Sequence, residues 1–206
     1  MVSSVLTQLR RHGSFGYFRN WKTASTIALF FQFQQWAQDL DKLASVKGPF
    51  HGLPIAVSDE HNVEGMDTTL GLGKRLLNPA NRSSVLVQTL LSMGMIPFVK
   101  TNVPQALFSI GSDNPLFGTT ANGLNPTLSP GGGNSGAAAL VATGGAILAV
   151  GTDFFGSLRI PAHLHGLAAI KCTQGRISDR GVQSSLPNLI GSMNQLYIDY
   201  LFSYVT

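Results

Sequence analysis

The residues best suited to chemistry sit at a glycine-flanked corner. The segment Gly151-Thr152-Asp153-Phe154-Phe155-Gly156-Ser157 follows the apolar run Ala146 to Val150 and presents Ser157 at its end. A serine on a tight turn after a buried strand is a candidate nucleophile, provided a base stands beside it. Upstream, Pro130-Gly131-Gly132-Gly133-Asn134-Ser135-Gly136 forms a glycine-rich loop. Glycine permits positive φ and close backbone approach, so such a loop can converge N–H groups on an anionic oxygen. Asp153 and Arg159 bracket Ser157, either to orient the turn or as a plain ion pair. Ser135, at the start of the next helical stretch, reads as an N-cap.

Other patterns are weaker. His163 and His165 share a face if that segment is extended and diverge if it is helical. No third ligand has matching spacing, so no metal site is expected. A Ser157–His–acid triad is open in principle, but no sequence feature defines its geometry. Gly131 to Gly136 formally matches GxGxxG, with Asp153 seventeen residues further on. The residues before it contain Pro126 and Pro130 rather than a strand, so a dinucleotide site is set aside and no cofactor is expected. Cys172 is the only cysteine, which excludes an internal disulfide and fits a buried small side chain.

These segments resemble the amidase signature family, with its fatty-acid amide hydrolase and fungal acetamidase branches. The family pattern runs PGGSSGG, a helix, GTDxGGSIRxPA, then GxxGxKPT. Here it reads Pro130 to Gly136, Gly151 to Ala162 and Gly166 to Thr173. Upstream, His51 to Asp59 is similar to GxPxxxKD, Val63 to Gly71 to VxGxxTTxG, and Lys100-Thr101-Asn102 to KTN. The resemblance spans about Gly48 to Gly181. It implies amide hydrolysis by a Ser–Ser–Lys triad, with the nucleophile at Ser157, the bridging serine at Gly133 and the lysine at Ser58. Only the first is retained. The oxyanion turn maps to Phe154, Phe155 and Gly156, where Phe155 replaces a glycine. A positive φ at Phe155 would be costly, and its ring could occupy acyl-chain space. Lys100 belongs to a structural segment by resemblance, and Lys74 is sixteen residues from the lysine position.

A neutral hydroxyl needs a base, and a lysine serves only with a lowered pKa. Ser58 cannot take a proton at neutral pH and Gly133 has no hydroxyl to relay one. Losing one triad member costs on the order of 10⁴ to 10⁶ in turnover. The reading is therefore a catalytically impaired relative of serine amide hydrolases acting on fatty-acid or small aliphatic amides. Two alternatives stay open: an active amidase using Ser157, and a non-catalytic fragment that binds a ligand or a protein. The expected ligand is a small amide or acyl-amide.

These residues must be positioned by alternating helices and strands: helix 83–93, strand 96–99, helix 135–143, strand 146–150 and strand 167–171. That alternation predicts an α/β fold, a layered mixed sheet flanked by helices. Ser83 or Ser84 caps the first of these helices and Gly94 ends it. A further helix is expected over Thr23 to Leu43 and a short one over Val103 to Ile110. Three regions follow: a basic, irregular N-terminus over 1–22, a partial amidase-signature domain over 23–183 and a divergent apolar tail over 184–206. Family members are considerably longer, so the sheet is expected to be incomplete, and self-association or a partner chain would complete it.

Charged residues make up 12% of the 206 residues, well under the usual ~25%. The net charge of +4 comes from Arg10, Arg11, Arg19 and Lys22, before any acidic residue. Basicity confined to one end does not support nucleic-acid binding. It suits peripheral contact with an anionic membrane, or else a solvated end. No apolar run reaches 18 residues, so no transmembrane helix is expected. The expected location is cytoplasmic or peripheral to an intracellular membrane.

Overall fold

A computed structural model describes residues 26–29, 32–173, 175–184 and 198–202. The basic segment 1–22 and most of the 184–206 tail lie outside the described residues. Strands β1 (Thr26–Leu29), β2 (Pro54–Ser58), β3 (Ile96–Thr101), β6 (Leu148–Thr152), β7 (Ala168–Lys171) and β8 (Ile198–Phe202) form one sheet in the order β1-β3-β2-β6-β8-β7. β3, β2 and β6 run parallel, and β1, β8 and β7 join antiparallel. Two-residue strands β4 (Asp113–Asn114) and β5 (Gly118–Thr119) make a separate hairpin.

The parallel strands are the centre of the molecule. All six residues of β3 are buried, as are four of five in β2 and all five in β6. Strands covered on both faces read as continuous apolar runs rather than alternating ones, which is how Ile55, Ala56, Val57, Ala149 and Val150 come to lie in one core. Helices α1 (Gln32–Asp41) and α2 (Val85–Ser92) pack on β3. Helix α3 (Ser135–Ala142) crosses β2, β3 and β6, and α4 (Arg159–Leu164) lies against β7. The run Ala137-Ala138-Ala139 is fully buried and lets α3 approach the sheet closely.

The α/β class and the alternation hold. Ser84 caps α2, accepting from the Val87 N–H at 3.3 Å, and Gly94 ends it at φ +90°. Four expectations are corrected. The helix over Thr23 to Leu43 is divided: Thr26–Leu29 is an edge strand paired with β3, and the helix spans Gln32–Asp41. The β-branched pair Thr26-Ile27 suits that strand, while Phe33, Ala37 and Leu40 retain helical spacing and are buried. Val103 to Ile110 holds only a 3₁₀ turn over Gln105–Leu107, with φ +62° at Ala106 and +59° at Leu107. A tertiary bond from Ala106 N–H to Leu70 O prevails there over local helix propensity. Strand β6 lies two residues further on than the apolar run, because its pairing with β2 begins at Ala149. Cys172 is half-buried rather than buried. Within the apolar tail, Ile198–Phe202 inserts as a strand between β6 and β7.

Candidate functional site

Ser157 is half-buried at the end of the turn that follows β6. The fully buried Asp153 carboxylate organises this turn. Its Oδ1 accepts from the Gly156 N–H at 2.6 Å, and its Oδ2 from the Arg159 N–H at 3.2 Å. The Arg159 guanidinium closes a bidentate pair, Nε to Oδ2 at 2.7 Å and Nη2 to Oδ1 at 3.1 Å. Burial pushes the Asp153 pKa up, but these donors outweigh it and hold the carboxyl below its ordinary value. Arg159 is half-exposed, so the pair serves mainly to shape the turn. The left-handed position is Gly156, at φ +94°. Phe155 is not left-handed, so the backbone strain expected there does not arise. Its ring is 74% exposed and meets Phe154 edge-on, with centroids 4.3 Å apart.

The glycine-rich loop lies directly against Ser157. A Cβ on Gly133 would stand 3.0 Å from Ser157 Cβ and 3.2 Å from its Oγ. It would also be 3.6 Å from Leu107 Cδ2, so the 105–110 segment forms the next wall. Phe108 and Ile110 of that segment are exposed apolar residues, as is Phe155.

Asn134 ties the loop to the turn. Its backbone N–H donates to Ser157 O at 2.9 Å, and its Nδ2 to Thr152 O at 2.6 Å and Ser157 O at 3.2 Å. One carboxamide thus grips both ends of the Ser157 turn. Gly151 makes room for it, since a Cβ there would lie 1.9 Å from Asn134 Oδ1. Sequence reading missed this clamp; the only signal was a carboxamide in a run of glycines. Asn134 also takes the position just before the helix, so Ser135 is not the cap. The Ser135 hydroxyl instead hydrogen-bonds the buried Ser112 hydroxyl.

Ser58 ends β2. It pairs with Thr101 of β3, and Val57 pairs with Val150 of β6. Continuing that register sets Thr101, Ser58 and Gly151 side by side on one face, because aligned residues of parallel strands point the same way. Glu60 closes the row, its Oε1 accepting from the Thr152 N–H at 2.9 Å. Burial is the main cause that raises the Glu60 pKa to about 7, with the nearby Ser58 hydroxyl working against it.

Lys100 precedes Thr101 and therefore faces the other way. Its ammonium is fully buried, 2.8 Å from Asp59 Oδ1, and donates to Thr68 Oγ1 and Asp67 O, both at 2.9 Å. Asp59 Oδ2 accepts from the Thr69 and Leu70 N–H groups and from the Thr69 hydroxyl. Burial lowers the Lys100 pKa and Asp59 opposes that shift. Every Lys100 donor is thus spent on this lattice, as a structural role requires. Lys74 is exposed on a 3₁₀ turn. His61, buried beside this lattice, is driven down to about 3 by burial first and by the Lys100 charge second.

The histidine pair does not converge. His163 is exposed, whereas His165 is buried and committed at both ring nitrogens. Its Nε2 accepts from the Gly123 N–H at 3.0 Å, which leaves Nδ1 to donate to Pro161 O at 2.8 Å. Among the described residues no three His, Cys, Asp or Glu side chains cluster to hold a metal, and no helix is long and apolar enough to cross a membrane. The glycine-rich loop does not directly follow a strand.

Residues 20–193 match the family described as Amidase. "Amidase 2" of Gibberella moniliformis is 41% identical over 152 residues, 71% of this chain and 30% of that protein. Fatty-acid amide hydrolase 1 of Sus scrofa is 43% identical over 140 residues, 68% of this chain and 24% of that protein. In structure, a crystallised amidase superposes with a TM-score of 0.83 at 30% identity, over 98% of this chain and 45% of that one. A fatty acid amide hydrolase gives 0.75 at 32% identity, over 79% and 30%. The chain spans about 30% of the length of the curated relatives it matches.

Proposed function

The chain belongs to the amidase family, and from that premise we propose that it is an amide-hydrolase scaffold whose serine is presented but whose proton relay is lost. The observation that carries this reading is the contact between Gly133 and Ser157. A hydroxyl attached at Gly133 would lie within reach of Ser157 Oγ, since its Cβ would be 3.2 Å away; glycine supplies none. Ser58 stands where an amine would accept the proton, and a hydroxyl there cannot do so at neutral pH. Among the described residues the one buried lysine near this end of the sheet, Lys100, is engaged on the opposite face. The Gly156 N–H serves Asp153, so Phe154 and Phe155 are the turn's remaining candidates for oxyanion donors.

The ligand in this reading is a fatty-acid amide or a small aliphatic amide. Phe155 in the turn and Phe108 and Ile110 in the neighbouring 105–110 segment are exposed apolar residues, and they favour an apolar acyl group over a charged one. Hydrolysis would be slowed on the order of 10⁴ to 10⁶ relative to a complete triad.

The test is labelling by an alkyl fluorophosphonate, together with turnover of an aliphatic amide. The natural chain, Ser157→Ala and Ser58→Lys/Gly133→Ser are measured side by side. The expected result is no labelling of the natural chain and labelling of the double variant. Turnover by the natural chain that disappears in Ser157→Ala would overturn the reading and reveal an active amidase with another base.

A further inference from the structure

A cavity of about 330 Å³ opens between α1 and α2, at the end of the sheet away from Ser157. Met95, one of its lining residues, directly precedes β3, whose other end carries Thr101 beside Ser58. Strand residues advance about 3.3 Å each, so the two ends of β3 lie roughly 20 Å apart.

The cavity follows from the sequence of α1. Phe33, Ala37 and Leu40 bury one stripe of this helix in the core. Trp36 and Leu40, four residues apart, and Leu43 just past the helix end continue a second stripe towards Leu91 of α2. Trp36 and Leu91 are half-buried and Leu43 is 48% exposed. These walls therefore keep apolar surface that the core does not cover.

Two charged residues also line the cavity, and they differ. Asp39 is spent: its Oδ1 accepts from Gln35 Nε2 at 2.8 Å and from Lys42 Nζ at 2.9 Å. Lys47 donates its backbone N–H to His51 Nδ1 at 2.9 Å, and its ammonium makes no ion pair among the described residues. The charge left for a ligand is thus positive. Apolar walls with one uncommitted ammonium fit a molecule that has an apolar body and an anionic head. With water's share of roughly 30 Å³ taken as the size of one non-hydrogen atom, the cavity holds about ten. Its walls are aliphatic apart from Trp36, which favours a flexible alkyl chain.

We propose that this cavity binds an aliphatic monocarboxylate of about ten carbons, with the chain against Trp36, Leu43, Leu91 and Met95 and the carboxylate on Lys47. The site goes beyond amide hydrolysis and does not depend on whether Ser157 reacts.

The experiment is a fluorescence titration of the full chain carrying Trp21→Phe, which leaves Trp36 as its only tryptophan. Decanoate, 1-decanol, decyltrimethylammonium and butyrate are compared below their micellar concentrations at constant ionic strength. Decanoate should give a saturable change in Trp36 emission at the lowest concentration, followed by decanol, with the cation and the short acid weakest. Lys47→Gln should weaken decanoate roughly tenfold and leave decanol unchanged. Leu43→Asp, at a half-exposed position, should abolish both responses. If Leu43→Asp does not fold, the ligand series and Lys47→Gln decide. No saturable response to decanoate, equal affinities for decanoate and decyltrimethylammonium, or an undiminished decanoate affinity in Lys47→Gln would each overturn the proposal. Trp36 reports on this end of the sheet and no hydrolysis is read, so the outcome is separate from that of the fluorophosphonate test.

Discussion

The two faces at the carboxyl ends of β2 and β3 contrast sharply, although their residues alternate along the same strands. On one face Asp59, Thr68, Thr69 and Lys100 form a closed lattice in which the ammonium and both carboxylate oxygens are engaged. On the other, the Ser58 hydroxyl meets the Glu60 carboxyl, while Thr101 Oγ1 and Asn134 Oδ1 are buried without a hydrogen-bond partner among the described residues. The first face is framework: its partners are mutual, and altering one strands the others. In the proposed reading the second is the reactive face, and Ser58 and Gly133 are the positions at which the relay is lost.

The sharpest way to break this contrast is Asp59→Asn. It leaves a buried Lys100 without its counter-charge and should cost about 3–5 kcal/mol, measured by urea unfolding or by loss of soluble protein. A loss below about 1 kcal/mol would mean that the lattice is not framework.

Next in size is a pH effect on the opposite face. The Glu60 pKa is raised to about 7 from 4.5, so the folded state holds this proton more tightly than the unfolded chain. Its contribution to stability is complete below pH 4.5 and is lost as pH rises to about 7. His61, lowered from 6.5 to about 3, acts in the opposite sense, and its contribution is lost as pH falls from 6.5 towards 3. Across pH 4.5 to 6.5 the two slopes nearly cancel. Glu60→Gln removes one of them, so its stability relative to the natural chain should climb between pH 4.5 and 7, by up to about 3 kcal/mol. Unfolding free energies at several pH values check this; a flat difference contradicts the burial of an ionisable Glu60.

Gly151→Ala tests the clamp. The new Cβ would be 1.9 Å from Asn134 Oδ1, so the carboxamide must move, at a cost of roughly 1–3 kcal/mol. Combined with Asn134→Ala the loss should be strongly non-additive, because the collision partner has gone. Additive losses would place the strain elsewhere. The smallest effect belongs to Gly133→Ala. Gly133 lies outside the left-handed region, and its Cβ would meet chiefly the Ser157 side chain at 3.0–3.2 Å. A change of about 1 kcal/mol or less is expected, and a larger one would show that this loop has no room for a bridging residue.

Much of the scaffold was legible locally. The Ser84 cap with the Gly94 stop and the apolar run into β6 each depend on residues a few positions apart. Propensity and periodicity act over that range. The misreadings fell where distant chain decided the outcome. Thr26–Leu29 is a strand because β3 offers an edge, and Ala106 is left-handed beside a bond to Leu70.

The site divides in the same way. By itself the sequence determined which residue types stand at 157, 133 and 58, and hence that residue 58 carries a hydroxyl and no amine. It also determined that Phe155 stands in the turn, though not that Gly156 takes the left-handed position. Only the tertiary structure decided that Gly133 touches Ser157, that Thr101 and Ser58 share a row while Lys100 faces away, and that Asn134 holds both ends of the turn. The reason is physical. Side-chain identity is a property of each position, whereas facing and pairing follow from strand register and helix approach, which bring residues 58, 101, 134 and 151 together across long separations in the chain.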